Sequence, residues 1–189
     1  RVLHGQRGSL IPHLWRDGIE AARGETVAVT TAHCIPDRQW VDAAGNPVGA
    51  LIDGVELRRA VVQSDERGSL CEIFDPRWGF HATPLTYVYQ FTIRPGKVKG
   101  WHVHKLHHDR IFLSQGVLKV VLWDGRPESP TRGLVNEIYR SQEQRDLMLI
   151  PIGVFHAHQN VGSVDALCIS MPTTAYQHAD PDVYRLPLD

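Results

Sequence analysis

The chain has 189 residues, with 20 Lys and Arg against 21 Asp and Glu, a formal charge of −1. That length suits one domain with a sizeable core and an appendage. The even charge excludes the footprint of a nucleic-acid binder or a polybasic membrane contact. Three scattered cysteines (Cys34, Cys71, Cys168) with no CxxC pair predict reduced thiols in a cytoplasmic protein, not a disulfide framework.

Residues 1–50 read as a small N-terminal extension, packed on the following domain or exchanged with a partner subunit. It is expected to hold a helix over 14–22, where Leu14, Ile19 and Ala22 form a modest apolar face. A hairpin would follow, with arms at Thr26–Ala32 and Val48–Ile52 around Gly45-Asn46-Pro47. From residue 51 to 189 short β-rich runs alternate with turn residues: 55–62, 70–74, 86–93, 110–113, 117–123, 147–150 and 165–171. Turn signals separate them at Asp65-Glu66-Arg67-Gly68, Arg94-Pro95-Gly96, Asp124-Gly125 and Pro151-Ile152-Gly153. Many short strands at regular spacing predict an all-β sandwich or barrel. The longest apolar run, 147–155, is broken by Pro151 and is too short to cross a bilayer. No secretory leader is recognisable. Cys71, Cys168 and Trp123 are expected in the core.

Six of the eleven histidines fall in two extended segments, 96–116 and 151–160. Side chains two apart on a strand share a face, so His102 and His104 point together, and Asp109 opens the next strand. His156 arrives from a distant strand, with His158 on its face. Three imidazoles and a carboxylate meeting in a barrel can hold a transition metal or act as acid and base. His107 and His108 are expected on an exposed turn.

The spacing G-x5-H-x-H-x4-D-x6-G (Gly96, His102, His104, Asp109, Gly116) and P-x-G-x-x-H-x-x-x-N (Pro151, Gly153, His156, Asn160) resembles the two signature motifs of the cupin superfamily. The resemblance implies a double-stranded β-helix, or jelly roll. In a metal-binding member the ligands would be His102, His104, Asp109 and His156, around iron, manganese, nickel or zinc. Asp109 replaces the usual glutamate, and Arg145 stands where the second motif usually opens with glycine.

A narrower resemblance, over roughly residues 52–180, is to the dTDP-4-dehydrorhamnose 3,5-epimerase family. It is carried by Asp65-Glu66-Arg67-Gly68 with Glu72 and Phe74, by Lys99-Gly100-Trp101-His102, and by the run from Asp124 to Thr131. Ile150 to His156 and Thr173-Thr174-Ala175-Tyr176 complete it. The resemblance implies a homodimeric epimerase acting, without a cofactor, on a nucleotide-diphosphate-linked 4-keto-deoxy sugar. His102 would be the base, with Lys99 or a nearby imidazole beside the enolate oxygen and Arg67 on the diphosphate. Glu72, His156 and His158 would line the pocket. The family's acid is a tyrosine in a Y-K-x-T segment, for which this chain has Ser170-Met171-Pro172-Thr173-Thr174. Tyr176 matches a different tyrosine. The aspartate that orients the family's base is expected beyond Asp189. Lys99 replaces an arginine and loses its bidentate fork. Two alternatives follow: a metal-dependent oxygenase, lyase or isomerase, and a sugar-binding cupin without catalysis.

Overall fold

A computed structural model describes residues 50–188. The expected extension, with its helix and first hairpin arm, lies outside them. Of the second arm, residues 50–52 form no strand.

Twelve strands are found among the described residues, in two five-stranded antiparallel sheets and one hairpin. The first sheet has the order β1 (Glu56–Arg59), β9 (Asp146–Ile150), β6 (Asp109–Gln115), β11 (Ala166–Ser170), β4 (Tyr89–Ile93). The second runs β12 (Tyr184–Arg185), β5 (Val98–Val103), β10 (Val154–Asn160), β7 (Val117–Asp124), β8 (Val135–Ser141). β2 (Val62–Asp65) and β3 (Gly68–Cys71) form the separate hairpin. From β4 to β7 and again from β8 to β12 each strand crosses to the other sheet, with β7 and β8 paired within the second, which is the jelly-roll pattern that the motifs imply.

Alternation sets which side chains face inward. On β7, Leu118, Val120 and Leu122 are buried and their neighbours are not. With Ile111, Leu113, Ile138, Met148 and Ile150 they fill the space between the sheets. β6 is buried on both faces, because Phe112, Leu147 and Met171 form a second cluster with Phe74, Phe80 and Ile169. Arg110 is fully buried on the same strand, and its guanidinium donates to the carbonyls of Met171, Thr83, Pro84 and Pro172. It ties the segments entering β4 and leaving β11 to the barrel.

Several expectations are refined. The single strand expected at 55–62 is two, β1 and β2, assigned to different sheets. β8 went unrecognised because only Ile138 of its seven residues is buried, so the edge strand has almost no apolar signal. Trp123 is not a core residue: it is 37% exposed and stacks on Phe155 at 4.9 Å. Cys168 is fully buried, with its thiol pushed up to about 12 by desolvation, and Cys71 packs at the margin of the second cluster.

Candidate active site

A cavity of about 350 Å³ opens at one end of the barrel. One wall comes from the second sheet: Lys99 and His102 of β5, His156 and His158 of β10, and Arg185 of β12. The other comes from the first sheet: Tyr89 and Phe91 of β4, with Asp109 and Ile111 of β6. Tyr87, His104, Tyr176, His178 and Val183 line it from connecting segments.

The local chain path explains the imidazole cluster. His102 and His156 are register partners on adjacent strands, and their rings meet edge-on at 5.9 Å. The next pair in register is His158 with Lys99, so β5 carries one residue more than β10 over this stretch. That is a β-bulge, and it turns Lys99 and His102, three apart, towards the same cavity. Gly100 makes it possible. A Cβ there would lie 2.6 Å from the Ala157 Cα, at φ +154°. The K-G-W-H segment is therefore a backbone device as well as a source of side chains.

Asp109 is the centre of the deeper end. Its Oδ2 lies 3.2 Å from His104 Nε2 and 3.4 Å from His156 Nε2, and its Oδ1 lies 3.6 Å from His107 Nε2. The opposite ring nitrogens are held from behind. His104 Nδ1 donates to the Asp182 carbonyl, His107 Nδ1 meets the Asp182 carboxylate at 2.9 Å, and His156 Nδ1 meets the Val154 carbonyl at 3.2 Å. Asp182 also accepts from the backbone N–H groups of Lys105 and Leu106.

These contacts set the charges. Burial opposes ionisation of Asp109, but hydrogen bonds from His104 and His107 outweigh it and hold the carboxyl well below the usual range. Burial likewise opposes charge on His104, yet the Asp109 carboxylate and the Asp182 carbonyl raise its pKa. His104 and Asp109 thus form a buried ion pair. At His156 burial outweighs the nearby Asp109 carboxylate and Val154 carbonyl, and at His158 it outweighs the more weakly felt Asp109, so desolvation pushes them down to about 4 and about 3. Burial, then the Arg185 cation, lowers His102 too, so it stands as a free base at neutral pH. The buried Nε2 of His158 has no hydrogen-bond partner in the protein and is available to a ligand.

The structure brings His102, His104, Asp109, His156, His158 and Lys99 together. It does not bring Arg67 or Glu72 to this cavity. Arg67 sits 81% exposed on the β2–β3 turn, bracing Asp65, and Glu72 is exposed just beyond β3. His107 is not on an exposed turn: its side chain is 11% exposed and bound to Asp182. Asp182, Arg185, Tyr87 and Tyr89 were missed from sequence. Asp182 reaches its partners across 76 to 78 residues, a separation no local pattern reports. Tyr89 carries the alternation signal of its strand and was read only as β-former.

A jelly roll with an imidazole-lined cavity between its sheets defines a cupin. Within that class the chain belongs to the dTDP-4-dehydrorhamnose 3,5-epimerase family, whose model matches residues 50–186. It is 31% identical over 139 residues to the probable low-salt glycan biosynthesis epimerase Agl13 of Haloferax volcanii, covering 73% of this chain and 89% of that one. The spore coat polysaccharide biosynthesis protein SpsL of Bacillus subtilis is 31% identical over 141 residues, covering 74% and 91%. Among solved structures, a dTDP sugar isomerase from Desulfovibrio desulfuricans shares the fold with TM-score 0.68 at 23% identity, over 73% of this chain and 87% of that one. The dTDP-4-dehydrorhamnose 3,5-epimerase of Sulfolobus tokodaii does so with TM-score 0.64 at 24% identity, over 74% and 81%. No helix among the described residues is long and apolar enough to cross a membrane.

Proposed function

We propose that the protein is an epimerase of a nucleotide-diphosphate-linked 4-keto-deoxy sugar, with His102 as the base. The observation carrying this reading is His102 itself: a neutral imidazole on the wall of a cavity large enough for a sugar. A 4-keto group acidifies the hydrogens on the adjacent carbons. The imidazole removes one, and the charge passes to the ketone oxygen. Lys99, brought to the same face by the bulge, supplies a cation for that oxygen. His158, held neutral and with its Nε2 unpartnered, offers a hydrogen bond to a hydroxyl of the sugar, and the neutral His156 ring lines the pocket beside it. The reaction needs no redox group, and we assign it no cofactor.

The exposed hairpin, with Val62, Leu70 and Arg67 open to solvent, suits a homodimer interface. In such a dimer Arg67 meets a diphosphate in the neighbouring subunit's cavity and not its own. Free thiols at Cys71 and Cys168 fit a reducing cytoplasm.

The test is solvent exchange. In deuterium oxide the protein incorporates deuterium beside the ketone of a dTDP-linked 4-keto-6-deoxyhexose, and His102→Ala slows incorporation by about 10²-fold or more. Binding of that sugar with no exchange points to the non-catalytic relative instead.

A metal-dependent reading is favoured by one observation. Donor atoms of His104, His107 and Asp109 lie within 4.8 Å of one another, and the far nitrogens of both rings are pinned by Asp182. Metal-binding histidines are oriented in this manner. His104, His107, Asp109 and His156 would hold the ion, with His102 outside the set. A bound divalent ion supplies Lewis-acid polarisation of a substrate carbonyl. Elemental analysis of the purified protein decides: about one first-row ion per chain supports this reading.

A further inference from the structure

Inversion requires a proton donor on the face of the sugar turned away from the base, and the two-walled cavity limits the candidates. This inference rests on the epimerase reading above. His102 belongs to the second sheet; the wall across from it is built by β4 and β6. The cavity of about 350 Å³ between the two walls leaves room for one pyranose ring. The facing wall offers Tyr89, Phe91, Asp109 and Ile111. Phe91 and Ile111 have no proton to give. Asp109 is ionised and occupied by imidazoles, so it cannot donate.

We propose that Tyr89 is the general acid, delivering its phenolic proton to the sugar carbon from the side opposite His102. Tyr89 and Phe91 project to the same side of β4, and the Phe91 ring meets His158 edge-on at 6.2 Å, which fixes that side as the cavity side. The Tyr89 ring packs against Phe91, at 6.2 Å. Tyr87 lies a further step out, before the strand begins, with its ring 5.7 Å from Tyr89. Tyr176 comes from the segment after β11 and meets His178 edge-on at 4.9 Å. Desolvation raises the Tyr89 pKa, so the phenol holds its proton at neutral pH.

The step balances. The His102 imidazole takes the proton from the carbon beside the ketone, and the C–H electron pair becomes the carbon–carbon double bond of an enolate. When the enolate collapses, that pair forms a new bond to the phenolic proton, and the O–H electrons stay on Tyr89 as phenolate. Water at the cavity mouth then protonates the phenolate and accepts a proton from the imidazolium. Nothing is oxidised or reduced.

The test separates removal of the proton from its return. Tyr89→Phe and Tyr139→Phe are each incubated in deuterium oxide with a dTDP-linked 4-keto-6-deoxyhexose, and proton NMR follows both deuterium uptake and configuration. Tyr139 lies on edge strand β8, exposed and outside the cavity, so it controls for loss of a phenol. Tyr89→Phe is expected to keep deuterium uptake within a few-fold of the parent, with retention of configuration. Its inversion falls by about 10²-fold to 10⁴-fold, the range for loss of a positioned acid. Tyr139→Phe matches the parent in both. Full inversion by Tyr89→Phe overturns the proposal, and so does an equal loss of uptake and inversion, which indicates a binding role. Absence of uptake by the parent protein overturns the epimerase reading, and this assignment with it.

Discussion

Gly100→Ala places the largest demand on the geometry described here. The added Cβ would stand 2.6 Å from the Ala157 Cα and 3.1 Å from the His156 carbonyl oxygen, so the neighbour is backbone and cannot swing aside. Normal carbon–carbon contact is about 3.5–4.0 Å. β5 must therefore move from β10 by about 1 Å at the point where His102 and Lys99 are aimed. Overpacking of this kind costs about 1–3 kcal/mol. A non-glycine residue at φ +154° adds about 1–3 kcal/mol. The expected total, about 2–6 kcal/mol, is a large part of the 5–15 kcal/mol typical of a domain. Urea unfolding measures it, and deuterium uptake at a temperature where the variant remains folded reads the displacement of His102. Uptake is expected to fall by about 10²-fold, as misplacement by about 1 Å does elsewhere. A variant within 0.5 kcal/mol of the parent, a margin typical of neutral surface changes, and fully active would refute the assignment of the bulge.

Acid should destabilise the barrel through its neutral imidazoles. His158 titrates near 3 when folded and near 6.5 when unfolded, so below pH 6.5 the unfolded chain binds the extra proton and stability falls with pH. Between pH 7 and pH 5 this group withdraws about 2 kcal/mol, from 1.36 kcal/mol per unit over 1.5 units. His158→Gln is expected to lose about 2 kcal/mol less than the parent across that interval in urea titrations; parallel losses would contradict the assignment. Arg110→Ala strands four carbonyls that the guanidinium serves, at Thr83, Pro84, Met171 and Pro172. It should cost about 3 kcal/mol or more by chemical denaturation, and a cost under about 1 kcal/mol would show those carbonyls to be solvated.

The fold was legible because its motifs combine turn residues with histidines at strand spacing. Gly96, Pro151 and Gly153 mark where β5 and β10 begin, and His102 and His156 fall opposite each other as their strands predict. Arg67 and Glu72 carried the family pattern yet do not line the cavity, because a motif records spacing along one chain and not which cavity a hairpin serves. His107 resembled a solvated turn residue until Asp182 closed over it. The bulge was hidden as well. An alternating pattern places Lys99 and His102 on opposite faces, and only the register against β10 reveals the extra residue.

The most direct test is a crystal structure with a dTDP-linked hexose that lacks the 4-keto group and cannot react. The expected result is a pyranose ring between β5 and β4, with a carbon flanking position 4 within about 3.5 Å of the His102 imidazole. A hexose lying outside the barrel, or one whose flanking carbons both sit beyond the reach of that ring, would contradict the assignment of His102 as the base.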